Sequence, residues 1–523
     1  MKEKALLLFA LLCMTAQGMG AQERGTFAGR PSCTPYLHEA AMSRGEAPRR
    51  SVYNPIQTWD ATRTYRQLVV LVEFVDASFS CENPRERYDR LFNETGYSER
   101  HSPGCVADYF RDQSGGLCNL QFDVVGPYRV DEQACPDKTQ SNHGSKAASK
   151  ALQLLLADQP DRDYSVYDWN GDKDVEQVVF VFASFSGVHI SRDTQGYLWP
   201  NTGYLVPVVQ TADGLWMNFY SASAELWGNN VSCGIGTIIH EFCHCLGLPD
   251  IYPTSNYADT FSVCDEWDLM DGGNYTNWGW CPPNLTAQEK MYLGWLTPKE
   301  LNEPTSVSGL KPVADGGEAY IVRHTDNEYL LLENRQRTRW DKGIPGQGLV
   351  ITHVDFNDKS WRYNEVNIIG NHFRYDIVHA DNLTYNDWKQ IIKDHGYMDW
   401  RVNEERMYSR LLSSSPYPCS TDSTTFVNDA LTDTSVPAAK MFNKNADGST
   451  LLGKAITDIR MADDGTVSFN FMTDASAIGD AVRLNDKETM TDDHWYTLDG
   501  RRLSGQPTAT GLYIHNKKVV RRL

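Results

Sequence analysis

Eleven consecutive residues constrain this chain more than any other part of it: positions 240 to 250 read HEFCHCLGLPD. On an α-helix, residues four apart stand about one turn apart on the same face, so His240 and His244 bring two imidazoles to one point. Glu241 is displaced by roughly a quarter turn, near enough to take a proton from a metal-bound water without occupying a ligand position. Gly247 supplies the left-handed conformation that ends a helix, which lets the chain turn back and bring Asp250 toward the same point. Ile235, Ile238, Phe242 and Leu246 fall on the neighbouring face and anchor the helix in a core. Chance produces the full H-E-x-x-H-x-x-G-x-x-D pattern in on the order of one in ten thousand chains of this length, against a few per cent for its five-residue core. The pattern therefore predicts a zinc site with His240, His244 and Asp250 as ligands and Glu241 as general base.

A chain of 523 residues is too long for one hydrophobic core, and 41% hydrophobic residues with 26 Tyr and 14 Trp supply the apolar surface for several. The formal net charge of −19 has no compensating basic block, which excludes nucleic acid as a partner. Lys2 and Lys4 precede the apolar run ALLLFALLCM and the small residues Gly18, Gly20 and Ala21, the layout of a secretory signal peptide over residues 1–21. No later stretch approaches the roughly 20 apolar residues of a membrane span, so no transmembrane segment is expected. Export places eleven of the twelve cysteines in an oxidising compartment once Cys13 is removed, and disulfides are the expected state of most of them.

Residues 22–65 are polar and read as a pro-segment or linker, with Arg49 and Arg50 offering a trimming site. RQLVVLVEFVD and VEQVVFVFASF read as buried strands, and SKAASKALQLLLAD between them reads as a helix with an apolar face. That order suits an α/β catalytic domain over residues 66–310, with the catalytic helix packed against a mixed sheet. Pro298, Pro304 and Pro312 make residues 300 to 315 loop-like. A β-rich region follows over 311–475, where EAYIVRH, EYLLLENRQ and GLVITHVDF read as strands and AITDIRMADDGTVSFNFM as a hairpin turning at Asp464 and Gly465. Residues 476–523 read as a linker and tail, whose runs WYTLDGRRL and GLYIHNKKVV are two short strands able to pair.

Met270 lies twenty residues beyond Asp250, in EWDLMDGGNY. An extended zinc motif followed by such a Met is similar to the metzincin plan, which implies a zincin fold in which that Met underlies the zinc ligands. More narrowly, the chain resembles the immune inhibitor A type of secreted bacterial zinc metalloprotease. The resemblance is carried by CVADYFRDQSGGLCNLQFDVVGPY, GTIIHEFCHCLGLPDIY, WDLMDGGNY and EYLLLENRQRTRWDKGIPGQGLVITHVD. It implies a zinc-dependent endopeptidase acting on protein or peptide substrates and made as an exported precursor. Asp271 stands where relatives more often carry serine. The tail resembles the C-terminal sorting segments of exported Bacteroidetes proteins, which implies export machinery as a partner.

Two carboxylate-rich places invite other assignments. YDWNGDKDVEQ offers Asp168, Asn170, Asp172 and Asp174 as oxygen ligands for calcium, although Val179 stands where an EF-hand needs its bidentate Glu. Glu333, Asn334, Arg335, His353 and Asp355 are candidates for a substrate cleft, with Glu333 the alternative third zinc ligand. The rival to proteolysis is a catalytically silent adhesin or glycan-binding protein on the same fold, which loss of His240, Glu241 or His244 would favour; all three are present.

Overall fold

The computed structural model describes residues 55–138, 144–188, 196–228, 230–255, 262–384, 412–420, 427–473, 495–497, 506, 511–515 and 518–522. The signal peptide, most of the expected pro-segment with Cys33, and much of the tail lie outside these residues. The chain divides into two compact units, Met1–Thr473 and Asp474–Leu523.

Five strands, β1 (Thr64–Glu73), β2 (Asn119–Arg129), β3 (Val178–Phe185), β4 (Asn201–Gln210) and β5 (Trp216–Leu226), form a sheet in the order β2-β1-β3-β5-β4. All neighbouring pairs are parallel except β4 with β5, which is antiparallel and leaves β4 on an edge. The unbroken apolar run of β1 follows from burial on both faces. Val69 and Leu71 face one core, while Leu68, Val70 and Val72 face the other.

Four longer helices accompany this sheet: α1 (Pro84–Asn93), α2 (Val106–Gln113), α3 (Ser145–Asp158) and α4 (Gly236–Leu246). Ala148, Ala151, Leu152 and Leu155 of α3 fill the second core with Phe180 and Phe182. On the first face Ile235, Ile238, Phe242 and Leu246 pack with Val69, Leu71, Val179 and Val181, so the catalytic-motif helix lies against the mixed sheet. The short helix α5 (Ala287–Tyr292) closes this part of the chain.

Beyond it come β6 (Lys299–Glu300), β7 (Thr305–Leu310), β8 (Ala319–Arg323), β9 (Glu328–Arg335), β10 (Gly348–Asp355) and β11 (Tyr375–Ile377). They are followed by the two-stranded pair β12 (Cys419–Ser420) and β13 (Val427–Asn428), then β14 (Ile456–Met461) and β15 (Val467–Phe471). A second sheet has the order β11-β10-β9-β8-β6, and a third the order β14-β15-β7. The β14–β15 hairpin turns through Gly465, whose φ of +81° only glycine adopts freely. Strand β7 falls within the stretch expected to be loop-like. It is held by pairing with β15, some 160 residues away, which no local pattern announces.

The β-rich region is fused to the part that carries α4 rather than tethered to it. Ile321, Tyr329, Leu331, Trp340, Val350 and Trp361 belong to the same core as α4, while Val322, Leu330, Leu332 and Ile351 on the opposite face pack against β14 and β15. In the C-terminal unit, β16 (Trp495–Thr497), β17 (Gly511–His515) and β18 (Lys518–Arg522) form an antiparallel sheet, one strand more than the two expected.

The expected disulfides are not formed: no two cysteines among the described residues are bonded. Cys118, Cys243 and Cys264 sit in the main core, Cys233 beside Trp227, Cys245 beside Phe219 and Cys419 in the β-region core. There they pack as small apolar side chains, and burial pushes the thiols of Cys118, Cys243 and Cys264 well above their ordinary pKa.

Candidate metal centre

Helix α4 presents His240 and His244 on one face, as the spacing requires. It ends at Gly247 with φ +108°, where the Gly247 amide donates back to the His244 carbonyl at 3.0 Å and the Leu248 amide to that of Cys243 at 3.0 Å. The chain then reverses and delivers Asp250, which is completely buried. Asp250 Oδ1 lies 3.3 Å from Nε2 of His240 and 3.3 Å from Nε2 of His244. No other cluster of three potential ligand residues occurs among the described residues.

The surrounding hydrogen bonds set the tautomers. His240 Nδ1 donates to the Leu269 carbonyl at 2.9 Å and His244 Nδ1 to the Leu248 carbonyl at 2.8 Å. A carbonyl can only accept, so each Nδ1 carries a proton, and each Nε2, the atom left for a cation or a second proton, faces Asp250 Oδ1. Around a tetrahedral zinc with bonds of about 2.0–2.1 Å, neighbouring ligand atoms stand about 3.3–3.4 Å apart. Asp250 Oδ1 makes no hydrogen bond in this position, although it is buried. The donor set, its spacing and its tautomers thus fit a tetrahedral cation.

Electrostatics point the same way. Burial alone would raise the Asp250 carboxyl, yet the adjacent His244 and His240 hold it well below the usual carboxylate range. Burial alone would lower His244, but the Asp250 carboxylate outweighs it and pushes the imidazole up to about 9. A site that attracts a proton this strongly attracts a divalent cation, which competes for the same lone pairs.

Glu241 is 3% exposed and is tied to the edge strand: Thr202 Oγ1 of β4 donates to its side chain at 3.0 Å and to its carbonyl at 2.8 Å. Burial raises its pKa against the opposing pull of His240 and His244. His240 and Glu241 line a small cleft whose remaining walls are Trp199, Pro200, Tyr252, Asp271, Asn274 and Tyr275.

Met270 is fully buried in a tight turn linked by main-chain bonds to the segment that carries Asp250. Its amide donates to Asp268 Oδ1 at 2.7 Å, its carbonyl accepts from the Ile251 amide at 2.9 Å, and its neighbour Leu269 supplies the acceptor for His240. The carboxylate of Asp271 holds neighbouring backbone in place. It accepts from the Val263 and Cys264 amides at 2.9 and 2.8 Å and from Ser262 Oγ at 3.0 Å, drawing residues 262–264 onto the turn.

One residue of the site carries no signature in the sequence. Asn364 donates from Nδ2 to Asp250 Oδ2 at 2.7 Å and accepts from the Asp250 amide at 2.6 Å, clamping the candidate third ligand from 114 residues away. Its φ of +58° is a conformation that asparagine tolerates better than most residues, the only local hint available.

The other sequence candidates are placed elsewhere. Glu333 accepts from the Ala287 amide, Asn334 bonds the Leu310 and Gly465 carbonyls, and Arg335 is paired with Asp341. His353 bonds Glu328, and Asp355 bonds His372 and Arg374. These five residues do not line the cleft beside Glu241; they bind the β-rich region together and to α5. In the expected calcium loop, Asp168 accepts from the amides of Gly171, Asp172 and Lys173, Asn170 from that of Asp172, and Asp172 from that of Asp174. Asp174 takes the Asn218 side chain at 3.1 Å, so the loop has the hydrogen bonding of nested Asx turns.

The family comparison falls on the stretch that carries His240, Glu241, His244 and Asp250. Residues 218–295 match the family described as immune inhibitor A peptidase M6, catalytic domain. The pre-pro-metalloprotease PrtV of Vibrio cholerae serotype O1 is 23% identical over 274 residues, covering 44% of this chain and 30% of the relative. Immune inhibitor A of Bacillus thuringiensis subsp. alesti is 24% identical over 281 residues, covering 44% of this chain and 39% of the relative. The chain thus spans well under half the length of these curated relatives. Residues 218–295, which carry His240, Glu241, His244, Asp250 and Met270, are thus similar to the immune inhibitor A peptidase M6 catalytic domain, and the chain is distantly similar to named metalloproteases.

Proposed function

We propose that this chain is an exported zinc endopeptidase in which His240, His244 and Asp250 hold the metal and Glu241 handles the protons. The observation that carries the reading is the equal 3.3 Å separation of Asp250 Oδ1 from both histidine Nε2 atoms, the ligand spacing of a tetrahedral ion. Zinc in this position supplies Lewis acidity to a water and to the scissile carbonyl. Glu241 takes the proton of the attacking water and returns it to the leaving amine, a task its position one residue after a ligand allows. Thr202 holds the Glu241 carboxylate from β4.

The edge strand β4 reaches Glu241 through Thr202, and in this reading an extended peptide lies beside that end of the strand. The N-terminal signal-like segment supports secretion, and among the described residues no helix is long and apolar enough to cross a membrane. Reading of the tail by export machinery is part of the same proposal.

The test is cleavage of casein by the purified chain before and after chelation. Chelator should abolish cleavage and zinc restore it. Glu241→Ala should retain stoichiometric zinc while turnover falls by about 100-fold or more. Near-normal cleavage by that variant, or by the metal-free chain, would sink the reading.

A further inference from the structure

The wall of the cleft contains a polar group that the mechanism does not use. Asn274 is 2% exposed and lines the same cavity as His240 and Glu241, yet its Oδ1 is buried without a hydrogen-bond partner. Leaving a buried amide oxygen unsatisfied is costly, and folded proteins rarely tolerate it without a purpose.

The side chain is not needed to hold its own segment. The Asn274 main chain is already wedged against the start of α4: a Cβ on Gly236 would stand 2.1 Å from the Asn274 carbonyl oxygen, so glycine is what lets the two backbones meet. The adjacent Tyr275 amide is bonded to the Gly272 carbonyl at 3.1 Å, fixing the turn on the other side. A main chain held this firmly presents the carboxamide to the cavity in one place. Around it Trp199, Tyr252 and Tyr275 give aromatic walls, and His240, Glu241 and Asp271 are the titratable groups, so the amide is the neutral carboxamide in a small, mixed polar and aromatic cleft beside Glu241.

We propose that Asn274 is a substrate-binding residue whose carboxamide hydrogen-bonds a main-chain peptide group of the substrate next to the scissile bond. The assignment rests on the endopeptidase reading and adds to it how the peptide is registered. A carboxamide has the donor and acceptor of a peptide group, so it reads the backbone and is indifferent to the side chain it accompanies. The ligand class is therefore a polypeptide in extended form, recognised through its main chain.

Asn274→Ala separates this role from a structural one. Three measurements are made on the full chain: kcat/KM for casein, the melting temperature with zinc content, and binding of fluorescein-labelled carboxymethylated casein to the Glu241→Gln protein with and without Asn274→Ala. The expected result is a fall in kcat/KM and a weakening of casein binding, each about five- to twentyfold, with full zinc and a melting temperature unchanged or raised. Unchanged kcat/KM and binding would overturn the proposal. A loss of activity accompanied by a lower melting temperature or lost zinc would also overturn it, because the side chain would then be structural. Absence of chelator-sensitive cleavage by the unsubstituted chain would instead refute the endopeptidase reading. In that event an Asn274-dependent casein affinity still supports the peptide contact, and an Asn274-independent one rejects it.

Discussion

Removing the Asn364 carboxamide tests the geometry of the candidate metal centre without touching a ligand. Asn364→Ala deletes two contacts at once, the 2.7 Å bond to Asp250 Oδ2 and the 2.6 Å bond from the Asp250 amide. The first is a hydrogen bond to a buried carboxylate, worth about 1.5–3 kcal/mol, and it fixes which oxygen faces the histidines. The second leaves a buried amide without an acceptor, costing about 1–3 kcal/mol in the fold. Loss of a partner that orients a ligand typically weakens metal binding about 10- to 100-fold, or about 1.4–2.8 kcal/mol, so the two scales agree. Zinc affinity is read by competition with a chromophoric chelator, and stability by denaturant unfolding of the metal-free chain. We expect zinc affinity to fall about 10- to 100-fold and apo stability to fall by about 2–5 kcal/mol. If apo stability drops while zinc affinity stays as it was, Asp250 is not a ligand, and the reasoning from the 3.3 Å spacing fails.

Three further outcomes follow from the same contacts. Arg335 pairs with Asp341 through two 2.7 Å bonds in a fully buried setting, so Arg335→Leu should cost about 3–5 kcal/mol in denaturant unfolding; less than about 1 kcal/mol would mean that the pair contributes nothing net. Glu328 would be raised by burial, but His353 and the Phe442 and Asn443 amides overcome this and lower its pKa to about 2. Its folded pKa is depressed, so its contribution is complete above about 4.5 and is lost as pH falls through about 2. On the order of 2 kcal/mol of acid sensitivity should therefore vanish in Glu328→Gln, checked by unfolding curves between pH 6 and 2. Finally, a chain ending at residue 310 should fail to give a soluble monomer by gel filtration, because the core around α4 would lose Tyr329, Leu331, Trp340 and Trp361; a truncated chain that melts cooperatively would show the β-rich region to be dispensable.

Elements whose burial repeats along the chain were legible from the sequence. The run LVVLV of β1 and the run VVFVF of β3 are apolar at every position because both faces of the sheet are covered, and α3 begins and ends where its helix-forming residues do. The β14–β15 hairpin was legible because Asp464 and Gly465 give a turn signal between two alternating strands. Strand β7 was not, since TSVSGL between prolines has only two inward positions, Val307 and Leu310, and derives its order from β15. Compartment and cysteine count argue for pairing, yet no disulfide is formed among the described residues: Cys118, Cys243 and Cys264 share one core and pack there as small apolar side chains, a state that compartment and count do not announce.

At the site, legibility follows distance along the chain. His240, Glu241, His244, Gly247 and Asp250 lie within eleven residues, so helix geometry and one left-handed turn are enough to converge them. Met270 is visible as a turn at a fixed interval. What lies further away serves the site by fold alone. Asn364 comes from a loop after β10, Arg335 reaches the Trp267 carbonyl at 3.4 Å just ahead of the Met270 turn, and Leu269 passes that turn's position on to His240. These contacts belong to residue types that are common on any surface, and only burial distinguishes them. The β-rich region thus enters the candidate metal centre as the part that orients Asp250, its proposed third ligand. A mutation search confined to the catalytic motif would miss the residues that set its geometry, and one confined to residues 66–310 would miss Asn364 altogether.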